Sequence, residues 1–185
     1  MWINCVQEGK ITHSKFYTAK GDRGDTTRLG GNTRLPKSHA LIEVIGSADE
    51  AMAAIGMARA LAETAILKET LHTVQEHLVR LMAHLSATPD ARARYPGLHD
   101  EDVTWLETRI ADFETGLPPL HTFVLPGDSV AGAALHIART AVRRAERCIV
   151  ALAEIEPDIG MANLAYLNRL SSLLFVIALR TDWER

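Results

Sequence analysis

Apolar residues return at helical spacing along most of this chain, and the breaks between runs divide it into five helices and a polar lead-in. The clearest run, from about Thr64 to Ser86, sets Ile66, Leu67, Leu71, Val74, Leu78, Leu81, Met82 and Leu85 on one stripe. Thr88, Pro89 and Pro96-Gly97 end it. Another helix begins near Asp100, with Val103, Leu106, Ile110 and Phe113 on one face and acidic residues in the first turn, where the macrodipole favours them. Gly116, Pro118 and Pro119 stop it. The fourth follows Pro126-Gly127-Asp128-Ser129, with Asp128 a candidate cap, and runs to about Ile155; the fifth occupies roughly Ile159 to Trp183. The first helix is read from Ser47, where serine and Glu50 three residues on make a capping box ahead of Met52, Ile55, Gly56 and Ala58. Five amphipathic helices with short connections predict an all-α, five-helix up-and-down bundle, because each stripe can be buried only against neighbouring helices.

Residues 1 to 46 lack this periodicity and hold Gly21, Gly24, Gly30, Gly31 and Pro36 among Lys, Arg, Thr and Asp. They read as a long ordered loop, and a loop of that length in a compact domain points to a ligand. With 185 residues, 47% of them hydrophobic, the chain fits one domain: a loop region over 1–46 and a bundle over 47–185. The aromatic share of 5% agrees with helices rather than sheet. A net charge of -3, from 20 basic and 23 acidic residues interspersed, argues against a nucleic-acid surface or a polybasic membrane segment. Cys5 and Cys148 lack CxxC spacing and read as free thiols in a reducing compartment. The N-terminus has no apolar leader run, and the most hydrophobic stretch, Leu164 to Leu179, is interrupted by Asn168 and Arg169 and reads as too short to span a bilayer. A cytoplasmic protein is expected.

Candidate chemistry sits in two places. The fourth helix carries Arg139, Arg143, Glu146 and Arg147 at i, i+4, i+7 and i+8, which share one face at about 100° per residue. Ala138, Ala141, Ala145, Cys148 and Ile149 take another face, expected in the core. Guanidiniums converging on one stripe repel each other unless anions meet them, and their fork geometry suits a triphosphate or carboxylates. Taken alone, the stripe also fits an ordinary solvated face with local Arg/Glu pairs. The second place is the run from Thr18 to Thr27, a glycine-punctuated loop whose backbone N–H groups and hydroxyls suit phosphates. It lacks P-loop spacing and, alone, also fits a polar turn.

Together and in order, these pieces resemble the PduO-type cobalamin adenosyltransferases. That family carries an N-terminal Y-T-x-x-G-D-x-G-x-T loop, a basic residue, a G-x-x-D-E helix segment, F-[IV]-L-P-G, A-R-x-x-x-R-R-A-E-R and Y-L-N-R-L-S-x-L-L-F. This sequence has Tyr17-Thr18, Gly21-Asp22, Gly24 and Thr26, then Lys37, then Gly46 with Asp49-Glu50. It continues with Phe123 to Gly127, Ala138-Arg139, Arg143 to Arg147, and Tyr166 to Ser171 followed by Phe175. The match runs from residue 16 over nearly the whole chain. Lys20 replaces a small polar residue, Asp25 adds a negative charge beside the expected phosphate path, and Asp128 replaces the second glycine of a common L-P-G-G turn.

The resemblance implies a ferritin-like bundle that assembles as a homotrimer, with each active site between two subunits. Its substrates would be ATP with Mg2+ and a reduced corrinoid, and its reaction the transfer of the 5′-deoxyadenosyl group to cobalt. By carry-over, Thr18, Lys20, Gly21, Asp22, Gly24, Thr26, Thr27 and Lys37 would bind ATP from one subunit, with Arg143, Glu146, Arg147 and Asn168 completing the site. Asp49 would pair with Arg139 across the interface, and Phe123 would sit on the corrinoid side. No protein metal ligand is implied; a reductase or a cobalamin-dependent acceptor enzyme is a further partner it allows.

Other readings compete. Glu69 and His72 match one ExxH element of a di-iron bundle, but the sequence offers no second copy. His77, His84 and His136 read as packed or interface residues, and Arg169 as a capping or interface charge outside the site. A non-catalytic trimer that binds corrinoid or nucleotide is the main alternative, and a purely structural helical bundle is the third.

Overall fold

The computed structural model describes residues 19–156 and 159–184. A two-stranded antiparallel ribbon, β1 (Asp25–Thr27) and β2 (Arg34–Pro36), precedes α1 (Ala40–Ala60) and α2 (Ala65–Ser86). A short 3-10 helix (Pro89–Arg94) leads to α3 (Asp100–Glu114), α4 (Val130–Ala153) and α5 (Met161–Trp183). The helical bundle is as expected, while the ribbon corrects the reading of an unbroken loop before it.

α1 packs against α4 and α2, and α5 against α4 and α3, so α4 lies at the centre. Its core stripe, Ala131, Ala134, Leu135, Ala138, Val142, Ala145, Ile149 and Leu152, is buried. Small residues at these points let α1 and α5 approach closely. On α5, Leu167, Leu170, Leu173, Leu174 and Ile177 fill the same core.

Two starts differ from expectation. α1 begins seven residues before Ser47: His39 caps it, its Nδ1 accepting from the Leu41 amide at 3.1 Å. The buried stripe Leu41, Val44, Ala48, Ala51 and Ile55 runs straight through the supposed boundary. Ser47 itself is buried, its Oγ 3.5 Å from Cys148 Sγ on α4. The capping-box pattern is therefore coincidental, and Asp49 stands inside a helix. At α4 the cap is Ser129 rather than Asp128, because the Ser129 hydroxyl accepts from the Gly132 amide at 2.8 Å. That hydroxyl donates to Asp182 at 2.5 Å, and Gly132 has no Cβ that would meet the same carboxylate.

α5, at 23 residues, is long and apolar enough to cross a membrane, which corrects the short span expected. Half of its most apolar stretch is buried in the bundle, with Asn168 and Arg169 exposed on the outer side.

A polar network ties α2, α3 and α5 together. His77 Nδ1 lies 2.9 Å from the Tyr166 hydroxyl and Nε2 3.4 Å from Asp102, which also receives two hydrogen bonds from Arg80 at 2.9 and 3.0 Å. His77 is a packed residue, as read from the sequence.

The ribbon is anchored to the end of α2. Arg28 Nη2 donates to the Ala87 and Leu85 carbonyls at 2.6 and 3.3 Å, and Nε to Ser86 at 3.5 Å. These are carbonyls that a helix end leaves without partners. Leu29 and Thr88 add backbone hydrogen bonds, Leu29 N to Ser86 O at 2.9 Å and Thr88 N to Leu29 O at 3.0 Å. Gly30, at φ 81°, lies so close to Ala91 that a Cβ would overlap it. Arg28→Ala should therefore accelerate amide exchange across residues 25–36 about five- to thirtyfold, for a loss of about 1 to 2 kcal/mol of local stability. Hydrogen–deuterium exchange checks this, with α4 amides as the unchanged control.

Candidate active site

The ribbon shapes the glycine loop. Gly24, at φ 81°, turns the chain so that its amide donates to Gly21 O at 3.1 Å and its carbonyl accepts from Lys37 N at 2.8 Å. A Cβ on Gly21 would sit 3.2 Å from Lys37 Nζ, so the Lys37 ammonium lies directly beside that glycine. Lys20, Asp22, Gly24 and Thr27 are exposed, with Gly21 and Thr26 half-buried. Thr18 lies outside the described residues.

Arg34 organises this loop, and sequence reading missed it. From β2 its guanidinium donates to both Asp25 carboxylate oxygens at 2.6 and 2.5 Å, to Thr27 Oγ1 at 3.0 Å and to the Lys20 carbonyl at 2.7 Å. The Arg34 hydrogen bonds hold the Asp25 carboxyl below its ordinary pKa. The negative charge of Asp25 is thus matched within the ribbon. Nothing in the local pattern signals a partner nine residues away across a turn.

On α4 the arginines lie on the outer side, as the spacing predicts. Arg143 and Arg147 are exposed, and Arg147 Nη1 donates to the Arg143 carbonyl at 3.0 Å. Glu146 accepts from Asn168 Nδ2 on α5 at 2.8 Å. Arg169 continues this chain, donating to Asn168 Oδ1 at 2.7 Å and to Glu107 on α3 at 3.0 Å. Setting Arg169 aside overlooked this contact, because adjacent residues on a helix do not normally meet. Burial of Tyr166 against His77 fixes the rotation of α5 that turns Asn168 toward Glu146.

Arg139 is half-buried at the edge of that face, its Nε donating to His136 Nδ1 at 3.3 Å, while its guanidinium carbon lies 5.9 Å from the Phe175 ring centre. Asp49 is exposed on α1, and its neighbour Glu50 pairs with Arg144. The two members of the expected Asp49–Arg139 pair are thus on different helices, with Arg139 engaged in its own chain by His136 and Phe175.

Phe123, in the irregular segment between α3 and α4, is 87% exposed, and Leu125 is 75% exposed. Where that segment ends, at Gly127 and Ser129, an open apolar groove is lined by Met57, Leu61, Val130, Ala133, Ala134 and Ile137. An uncovered apolar surface of this kind marks a ligand or subunit contact. As for the di-iron alternative, His72 turns to Arg59 at 2.9 Å and to Glu76 at 3.8 Å. Among the described residues no three His, Cys, Asp or Glu side chains are grouped to hold a metal.

Residues 16–181 match the cobalamin adenosyltransferase family model. The corrinoid adenosyltransferase of Bacillus subtilis is 41% identical over 170 residues, covering 89% of this chain and 84% of that protein. That of Mycobacterium tuberculosis is 38% identical over 169 residues, covering 89% and 87%. The corrinoid adenosyltransferase PduO of Salmonella typhimurium is 36% identical over 170 residues, and there the chain spans about half the relative's length, 49%. Among solved structures, a phenylalanine-to-alanine variant of a PduO-type ATP:corrinoid adenosyltransferase from Lactobacillus reuteri, complexed with cobalamin and ATP, superposes with a TM-score of 0.83. It shares 32% identity and covers 91% of this chain and 94% of that one. An arginine-to-lysine variant complexed with ATP gives 0.82 and 31%, covering 90% and 94%. With the family model spanning all five helices and the ribbon before them, this chain belongs to the cobalamin adenosyltransferase family.

Proposed function

We propose that this protein is an ATP:corrinoid adenosyltransferase, working as a trimer in the cytoplasm with its site between subunits. The observation that carries the reading is the exposed stripe of Arg143 and Arg147, flanked by the Glu146–Asn168 pair. Lone guanidiniums on one helix face are stabilised by an anion, and a triphosphate supplies several.

Lys20, Gly21, Asp22, Gly24, Thr26, Thr27 and Lys37 cradle ATP from one subunit, with Thr18 preceding them. Arg143, Glu146, Arg147 and Asn168 close on it from the neighbour. Cobalt(I) of the substrate attacks C5′ of ATP; the Co–C bond forms as the C5′–O bond breaks, and triphosphate leaves with the electron pair. No protein base is needed. The work of the chain is to orient the ribose and to stabilise the departing charge. Glu146, the carboxylate beside the arginines, would help hold a magnesium counter-ion on the phosphates, which would neutralise part of that charge. Phe123 lines the corrinoid side, excluding water and displacing the lower axial ligand so that cobalt is easier to reduce. Arg139 pairs with Asp49 of the partner subunit. Against a non-catalytic binder of the same fold stands the Arg34–Asp25 pair, in which the guanidinium offsets the negative charge that would oppose phosphate.

The purified protein, kept anaerobic with a reductant, should convert cobalamin, ATP and magnesium into adenosylcobalamin and triphosphate, followed by absorbance. Binding of both substrates without product would leave the non-catalytic reading instead. Arg143→Ala should lower kcat/KM by about 10² to 10³ through lost transition-state stabilisation. Phe123→Ala should slow conversion from cobalt(II) far more than from pre-reduced cobalt(I), and equal slowing would remove the assigned role. Arg139→Ala should weaken the trimer by about 3 to 5 kcal/mol if the pair is buried on assembly, read from dissociation on dilution.

A further inference from the structure

One turn before Arg139, the imidazole of His136 is 4% exposed. Its Nδ1 accepts the Arg139 Nε–H at 3.3 Å, and its ring meets Phe175 edge-on with centres 6.0 Å apart. The same Phe175 ring carries the Arg139 guanidinium. Because Nδ1 accepts, the ring proton resides on Nε2, and among the described residues that buried nitrogen has no hydrogen-bond partner. The opposite tautomer would set two N–H groups against each other.

A side chain kept here only to fill space would be apolar. Phenylalanine or leucine would cover comparable volume between α4 and α5 without stranding an N–H group, and stranded buried donors are rare in folded proteins. A local cost of this kind is expected where a residue serves the site rather than the fold.

We propose that His136 is a positioning residue for Arg139: its neutral imidazole holds the Nε–H and, with Phe175 beneath, directs the rest of the guanidinium out of the bundle. The functional weight of this rests on the reading of Arg139 as part of the intersubunit site, but the contact itself does not. Protonation of the ring releases Arg139, since Nδ1 then carries a proton and both groups are cationic. Burial, and then the Arg139 charge, lower the His136 pKa from that of an ordinary histidine, against the pull of Asp182 on α5. Among the described residues these are the charged groups acting on the ring, and α1, the other helix packed on α4, supplies none. The ring therefore keeps its neutral form to more acidic pH than an ordinary histidine does.

His136→Phe and His136→Asn separate packing from positioning, since the asparagine amide oxygen replaces the Nδ1 acceptor without titrating. The Arg139 Nε–H resonance, assigned by its loss in Arg139→Lys, should stand apart from the solvent-exposed arginines at pH 7.5 and merge with them below the His136 pKa. In His136→Phe it should lie among them at every pH, with a melting temperature equal to or above that of the starting protein. His136→Asn should restore its position and abolish its pH dependence. In the adenosyl-transfer assay, kcat/KM should fall about tenfold in His136→Phe and recover largely in His136→Asn, which should lose the acid limb of the pH profile. An unshifted Nε–H resonance in His136→Phe, or a His136→Phe protein that does not fold, would overturn the proposal. If the protein lacks transferase activity altogether, the resonance alone decides, so failure of the functional reading and failure of this contact remain distinct.

Discussion

The rotation of α4 about its own axis is the constraint on which the site depends. The helix lies between α1 and α5, and the buried stripe from Ala131 to Leu152 admits one orientation. Alanines at the contact points leave little room for the helix to turn, because a rotation of one residue would drive arginine into the core in place of alanine. With the inner stripe fixed, a rotation of about 100° per residue places Arg143 and Arg147 outward and Arg139 at the margin. The concentration of positive charge is thus a by-product of close packing on the other side of the same helix.

The N-terminal ribbon follows a different logic. It buries little apolar surface, and its position comes from polar contacts: Arg28 on the carbonyls that end α2, and Arg34 on Asp25, Thr27 and the Lys20 carbonyl. Two arginines thus do for this segment what an apolar stripe does for a helix. Polar anchoring leaves the glycine loop accessible, where a hydrophobic anchor would cover it.

The helices from α2 onward were legible because each carries a periodic stripe and a recognisable stop. The start of α1 was not, since Gly46-Ser47 with Glu50 imitates a helix beginning while the apolar spacing of Leu41, Val44, Ala48 and Ala51 runs across it. The ribbon was hidden because three-residue strands rich in Thr and Arg have no alternation long enough to register. At the site, the α4 stripe could be read from spacing alone. Arg34, Arg169 and His136 could not, because their roles come from partners that only the fold or an atypical side-chain conformation supplies. Asp25 shows the same limit: its charge was visible, while the guanidinium that neutralises it lay across a turn.

The lock between the beginning of α4 and the end of α5 has a practical side. Ser129, Gly132 and Asp182 join the last turns of the chain to the residue that follows the Phe123–Asp128 segment. Trimming, fusing or tethering the chain at or before Asp182 would loosen the cap of α4, next to the segment that carries the exposed Phe123. Labels and immobilisation handles placed there would disturb the start of α4, although the two ends of the joint lie 53 positions apart in sequence.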